Sequence, residues 1–137
     1  MGVLLIGASA GSLFAQATLS LTTGPCSNSG TLVVNLDLVQ STPVAVGAQV
    51  FLQYDNARLQ FFSADPGDPP FVQQVFESVN VGLGTIDYAV GIVGAGSGTD
   101  APPTHTMARF TFNILVSDCA VTGLVTFRPS GPNGAPN

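Results

Sequence analysis

The sequence contains no lysine and no tryptophan, and only 8% of its residues are charged, against about a quarter in an ordinary soluble domain. Its three basic residues, Arg58, Arg109 and Arg128, are scattered along the chain, and the formal net charge is -5. Nothing gathers cations to neutralise phosphates, which excludes a nucleic-acid partner. An anionic membrane surface would repel the chain for the same reason. Exposed helix faces normally carry Lys and Glu, so this shortage argues against a helical cytosolic protein. Ser, Thr, Asn, Gln and Gly must supply the polar surface, as they do in extracellular β-proteins. The single histidine, His105, and the two cysteines, Cys26 and Cys119, do not complete a metal site. No cofactor is expected.

What is present suffices for a core. A chain of 137 residues with 45% hydrophobic content has room for one domain and is too apolar for disorder. Cys26 and Cys119 lie near opposite ends of the part expected to fold. In an oxidising compartment they are expected to pair, closing a loop of roughly 90 residues worth about 4 kcal/mol. The alternative is two separate buried thiols.

Residues 1–17 read as a secretory signal. They hold an apolar run of the right length and end in Ala15-Gln16-Ala17, the small-x-small pattern of a cleavage site. The run is too short and too rich in Gly and Ser to span a bilayer. No Lys or Arg precedes it, so either the true start lies upstream or the segment is something else. The expected organisation is a signal segment over 1–17, a sandwich domain over 18–128 and a Pro/Gly/Asn-rich tail or linker over 129–137. A secreted or cell-surface location follows, with no membrane insertion of the mature domain.

Two catalytic look-alikes fail on context. Gly7-Ala8-Ser9-Ala10-Gly11 matches the nucleophile elbow of α/β-hydrolases, and Asp100 and His105 follow in triad order. That elbow needs a large parallel sheet around it, and no strand–helix alternation follows here. Gly91 to Gly98 is as glycine-rich as a dinucleotide fingerprint, but a helix must begin at its last glycines. Thr99-Asp100-Ala101-Pro102-Pro103 cannot start one. Asp65 and Asp68 sit in a Pro/Gly turn and are too few for a calcium site. Enzymatic activity has no support.

The body of the chain has a period of two. Leu32, Val34, Leu36 and Leu38 alternate with Val33, Asn35 and Asp37. Val46, Ala48, Val50, Leu52 and Tyr54 share one face, opposite Gly47, Gln49, Phe51 and Gln53. Ile86, Tyr88, Val90 and Ile92 form a third apolar row. Ala108, Phe110, Phe112, Ile114 and Val116 form a fourth. Shorter strands are expected at Thr18–Leu21, Leu59–Phe62, Val79–Val81 and Leu124–Phe127, with a helical turn over Phe71–Ser78. Turn chemistry marks Gln40–Pro43, Asp65–Pro70 and Gly94–Pro103. Some eight short strands, each with one wet face, predict an all-β, antiparallel two-sheet sandwich.

The stretch Gln49-Val50-Phe51-Leu52-Gln53-Tyr54-Asp55-Asn56-Ala57-Arg58-Leu59-Gln60-Phe61 resembles the cohesin-like domains, whose pattern is an alternating strand, a Tyr-Asp pair, a short turn and Leu-x-Phe. A Gly84-x-Ile86-x-Tyr88-Ala89-Val90 strand and an Ala108-x-Phe110-x-Phe112-x-Ile114 strand follow in the family's order. The resemblance spans roughly Ala17 to Phe127. It implies a jelly-roll sandwich of eight or nine strands, related in fold to carbohydrate-binding modules. It also implies attachment to a dockerin-like protein module on one sheet face. In the best-known cohesins an Asn and an Asp on the strand before Tyr-Asp touch the dockerin, and alignment on Tyr54-Asp55 sets Gly47 and Gln49 at those positions.

The expected function is a non-catalytic scaffolding module in extracellular polysaccharide-associated machinery. Its expected binding face comprises Gln49, Phe51, Gln53, Asp87 and Arg109. Phe51 there is either an exposed anchor or an ordinary exposed aromatic. Two alternatives stand beside it. One is a carbohydrate-binding module taking polysaccharide, for which the missing Trp and two inward-facing Tyr residues leave only a cleft of Asn, Gln and Asp. The other is a structural subunit of a surface protein or filament, assembled by strand addition.

Overall fold

The computed structural model describes residues 2–6, 15–24, 30–42, 45–92, 105–116 and 124–128. Nine strands run through them: β1 (Gly2–Ile6), β2 (Ala15–Thr23), β3 (Thr31–Thr42), β4 (Gly47–Tyr54), β5 (Leu59–Pro66), β6 (Gln73–Asn80), β7 (Thr85–Gly91), β8 (His105–Ile114) and β9 (Val125–Phe127). They form a five-stranded sheet in the order β1-β2-β3-β8-β5 and a four-stranded sheet in the order β6-β7-β4-β9. Every pairing is antiparallel. The chain changes sheet between β3 and β4, β4 and β5, β5 and β6, β7 and β8, and β8 and β9, which makes the sandwich a jelly roll. No helix occurs among the described residues, so none is long and apolar enough to cross a membrane.

The period-two rows become the interior. Leu32, Val34, Leu36 and Leu38 of β3 are all but fully buried, as are Val50, Leu52 and Tyr54 of β4. Ile86, Tyr88 and Val90 of β7 and Ala108, Phe110 and Phe112 of β8 complete the layer between the sheets. Each buried Leu, Ile, Val or Phe contributes about 1.5–3 kcal/mol by leaving water. Rings lock the sheets together: Tyr54 lies 5.2 Å from Phe112 and Tyr88 meets Phe110 edge-on at 5.3 Å, centroid to centroid. Such pairs add about 0.5–1.5 kcal/mol beyond burial.

The rows stop earlier than the alternation suggests. Val46 is 59% exposed because it precedes β4, and Val116 is exposed because β8 ends at Ile114. In the other direction, β3 continues to Thr42, through the expected turn at Gln40, because Gln16 to Thr18 of β2 pair with it there. Residues Phe71–Ser78 do not form a helical turn. Gln73–Asn80 pairs along β7 as an edge strand, and a bulge between Gln74 and Phe76 sets two apolar residues side by side, which hides the alternation.

Two local features hold the sandwich's ends. Gly84 closes the β6–β7 turn with φ +67°, and a Cβ there would strike the Tyr54 carbonyl oxygen, so only glycine suits this position. On the outer side of the five-stranded sheet, Asp37 is 7% exposed. Thr22 Oγ1 donates to its Oδ2 at 2.6 Å and Thr106 Oγ1 to its Oδ1 at 2.9 Å, tying β2, β3 and β8 together.

The segment expected to be removed contains a strand in the chain as written: β1 pairs with β2 from Gly2 opposite Leu19 to Ile6 opposite Ala15. Cys26, Cys119, the Gly7–Gly11 elbow and the 129–137 tail lie outside the described residues, as does the glycine-rich stretch after Ile92.

Candidate protein-binding face

The outer face of the four-stranded sheet is built from the positions that alternate with the core. Antiparallel register sets its residues in rows across the strands. Phe76 of β6, Ala89 of β7 and Gln49 of β4 form one row, and Ser78, Asp87 and Phe51 the next. Asn80, Thr85, Gln53 and Thr126 of β9 form a third. Gln49 and Gln53 are exposed. Three of the expected residues, Gln49, Gln53 and Asp87, thus share one face, at register positions a short step apart.

Phe51 departs from expectation. It is 3% exposed, although it points away from the sandwich interior. Arg128, just past β9, covers it: the guanidinium carbon lies 5.4 Å from the ring centroid, and the Arg128 amide donates to the Phe51 carbonyl at 2.8 Å. The same guanidinium forms an ion pair with Asp87. The centre of the face is therefore a closed Phe51–Arg128–Asp87 stack, with Phe51 as its floor. Arg128 is not among the residues that the sequence alone sets on this face. Its outward phase was legible, since it follows inward-facing Phe127, but only the β4–β9 pairing brings it over Phe51.

Arg109 also departs. It lies on β8, in the other sheet, opposite Asn35 and Asp65, and pairs with Asp68 at 2.8 Å. It does not join the other four. Asp65 accepts a hydrogen bond from Ser63 Oγ at 3.0 Å, so these two carboxylates serve turn and surface contacts.

One end of the face is fixed by amides. Gln53 Nε2 donates to the Leu83 carbonyl at 2.8 Å, and Asn56 Nδ2 reaches the Val81 and Gly82 carbonyls at 3.1 and 3.0 Å. Leu83 N donates in turn to Asn80 Oδ1 at 3.1 Å. Beside this clamp lies a shallow groove of about 300 Å³, lined mainly by Tyr54, Leu59, Phe61, Val81 and Leu115. Both tyrosines are buried, with Tyr54 at 2% and Tyr88 at 0% exposure, so neither presents a flat ring for a sugar to stack on. Burial raises the Tyr54 hydroxyl's pKa. The Tyr88 hydroxyl is pushed up to about 12, by burial first and by the Glu77 and Asp65 carboxylates second.

Gly47 has a steric reason to be glycine. A Cβ there would lie 2.6 Å from the Val90 carbonyl oxygen and 3.3 Å from Gly91 Cα, both backbone atoms of the paired strand. No asparagine fits this position without shifting β4 against β7.

No protein-family model matches the chain, and no curated protein matches it in sequence. Solved structures do. The second type II cohesin module of the adaptor scaffoldin ScaA from Acetivibrio cellulolyticus superposes with a TM-score of 0.67 at 15% identity, covering 88% of this chain and 76% of that one. The chain has the cohesin fold. A type II cohesin–X-dockerin complex from the same organism, an N-terminal interface mutant, matches with a TM-score of 0.60 at 13% identity over 74% of this chain and 73% of that one. The sixth cohesin of its scaffoldin B, solved with a mutant Cel5 dockerin, gives 0.50 at 20% identity over 88% and 89%. On this sandwich the face just described runs across β6, β7, β4 and β9, and Gly47 and Gln49 lie on its β4 strand.

Proposed function

We propose that the chain is a non-catalytic scaffolding module that attaches a dockerin-like protein module to the outer face of its four-stranded sheet. The observation that carries this is the cohesin fold itself, found in modules solved in complex with dockerins. The outer sheet face that carries Gln49, Gln53 and Asp87 together supports it. The contacts differ from the best-known pattern: Gly47 has no side chain to offer, Gln49 supplies an amide in place of a carboxylate, and Phe51 is a covered floor. Recognition here rests on neutral amides flanking the Arg128–Asp87 pair.

The same proposal sets the module outside the cell. Residues 1–17 are removed after Ala17, Cys26 and Cys119 are joined, and 129–137 serves as a Pro/Gly-rich tail or linker. Mass spectrometry of the exported protein then finds Thr18 at the N-terminus and a mass two hydrogens below the reduced chain.

Calorimetric titration with dockerin-type modules from the same source tests the binding. We expect one of them to bind, Gln49→Arg to weaken it, and Arg109→Ala on the other sheet to leave it unchanged. Retention by a polysaccharide, with no dockerin-type module bound, would overturn the proposal.

A further inference from the structure

The four sheet edges are not equally protected. β9 is three residues long, and β1 is five. Where residues 1–17 are removed, the edge there is the six residues of β2 from Thr18 to Thr23, still shorter than β6. β5 is interrupted by a bulge between Phe61 and Ser63 and ends on Pro66, which has no N–H to offer. β6 runs for eight residues without a proline, lysine or arginine, and Glu77 is its one charge. Its side chains are exposed except half-buried Val79, and beside them Val72, Val75 and Phe76 are 44%, 66% and 48% exposed. A long apolar edge without those devices is a template for another strand.

We propose that this strand is a second copy of the same chain. Two β6 strands pair antiparallel about a twofold axis passing between Val75 and Phe76, joining two four-stranded sheets into one. The commitment to a second copy rests on self-complementarity. That axis sets Val75 opposite Phe76 of the other copy, Gln74 opposite Glu77, Gln73 opposite Ser78 and Val72 opposite Val79. Apolar meets apolar and polar meets polar at these four steps, and no like charges face each other. Moving the axis onto Phe76 sets Val75 opposite Glu77, and moving it onto Val75 sets Gln74 opposite Phe76, so both neighbouring registers lose the match. Gln74 Nε2 already donates to Glu77 Oε2 at 2.9 Å within one chain, a bond the two copies can exchange. The bulge contributes as well. Phe76 pairs with Ala89 on the outer face, and Val75 Cγ2 stands 3.6 Å from where a Cβ on Gly91 would be, so both apolar side chains lie on that side. Across the axis they form one patch of four. Phe76 shares an outer-face row with Ala89 and Gln49, so the pairing adjoins the proposed dockerin face, and its test reads chain mass with no dockerin-type module present.

Sedimentation equilibrium of the full chain over a concentration series tests the pairing, with Val75→Lys, Gln74→Glu and Gln74→Lys alongside. These positions are exposed, and circular dichroism checks that each variant keeps its sheet. We expect the mean mass to climb toward two chains as concentration rises. Each substitution acts twice across the axis, so Val75→Lys raises the dissociation constant about tenfold or more. Gln74→Glu weakens pairing by setting like charges opposite each other, whereas Gln74→Lys tightens it several-fold by facing Glu77. A single-chain mass at every concentration overturns the proposal. So does a dimer indifferent to all three changes, or assembly that requires a different protein.

Discussion

Two ion pairs lie on opposite outer faces of this sandwich, chemically alike and physically different. Arg109 and Asp68 meet at 2.8 Å with side chains 38% and 57% exposed. Arg128 and Asp87 meet with side chains 17% and 15% exposed, above the Phe51 ring. Water screens the first pair and competes for both partners, so its net worth is small. The second has lost most of its water, and each charge depends on the other. It also joins β4, β7 and β9, three strands far apart in sequence, whereas the first ties one strand to a neighbouring turn. The lesson is that burial, rather than the count of charges, sets what an arginine does here, and the chain has only three arginines to use.

The sharpest way to break the comparison is Arg128→Ala. It strands the Asp87 carboxylate in a half-dry position and uncovers Phe51, so we expect a loss of about 2–3 kcal/mol, below the range for a fully buried pair. Urea unfolding measures it. A double-mutant cycle with Asp87→Ala should return a coupling well above the few tenths of a kcal/mol typical of surface pairs. A loss no larger than that for Arg109→Ala would mean that burial does not distinguish the two.

The second test concerns Asp37, a buried carboxylate held by hydroxyls instead of a cation. Asp37→Ala removes the acceptor for Thr22 and Thr106 in a nearly closed position, at an expected cost of about 2 kcal/mol. Thr22→Val and Thr106→Val should each cost less, because the carboxylate keeps its other donor.

Much of this was legible in the sequence, and what was not shares a cause. Four apolar rows at a period of two gave the inward faces of β3, β4, β7 and β8, because alternation is a local property of the chain. The Tyr54-Asp55 turn with its flanking strands gave the fold family. Phase alone sets Phe51 outward and exposed; its cover comes from Arg128, 77 positions later along the chain. Arg109 and Asp87 both alternate outward, and nothing local says which of two sheets a strand joins. Only the end of β6 at Val79 and Asn80 is legible, because the bulge interrupts the period and this edge strand buries almost nothing beyond half of Val79.

Tyr88 sharpens the comparison from inside. It is fully buried, its hydroxyl has no hydrogen-bond partner among the described residues, and its pKa stands at about 12. The unfolded value is about 10. A folded pKa above the unfolded one means that this group's contribution is whole below pH ~10 and is lost as pH rises toward ~12, a decline of roughly 2 kcal/mol. Tyrosinate absorbance should therefore appear together with unfolding. Tyr88→Phe removes an unsatisfied hydroxyl, so we expect a stability change at neutral pH within about 1 kcal/mol and a weaker alkaline decline. A loss of several kcal/mol at neutral pH would reveal a hydroxyl partner and sink this assignment.

The smallest expected effect closes the comparison. Arg109→Ala removes an exposed guanidinium from Asp68, which remains in water and needs no substitute. We expect a loss of about 0.5 kcal/mol or less, shrinking further in high salt because solvent-exposed charges are screened. The Arg128 loss should respond to salt much less. Running both variants across the same salt series separates screening from burial without any assumption about absolute stability. If the Arg109 loss matched that of Arg128 and ignored salt, the Asp68 contact would be organising the β5–β6 turn, whose backbone reaches β8 through Gly67 N to Met107 O and Asp68 N to Thr106 O at 2.8 and 2.9 Å. The two faces would then be more alike than their exposures imply.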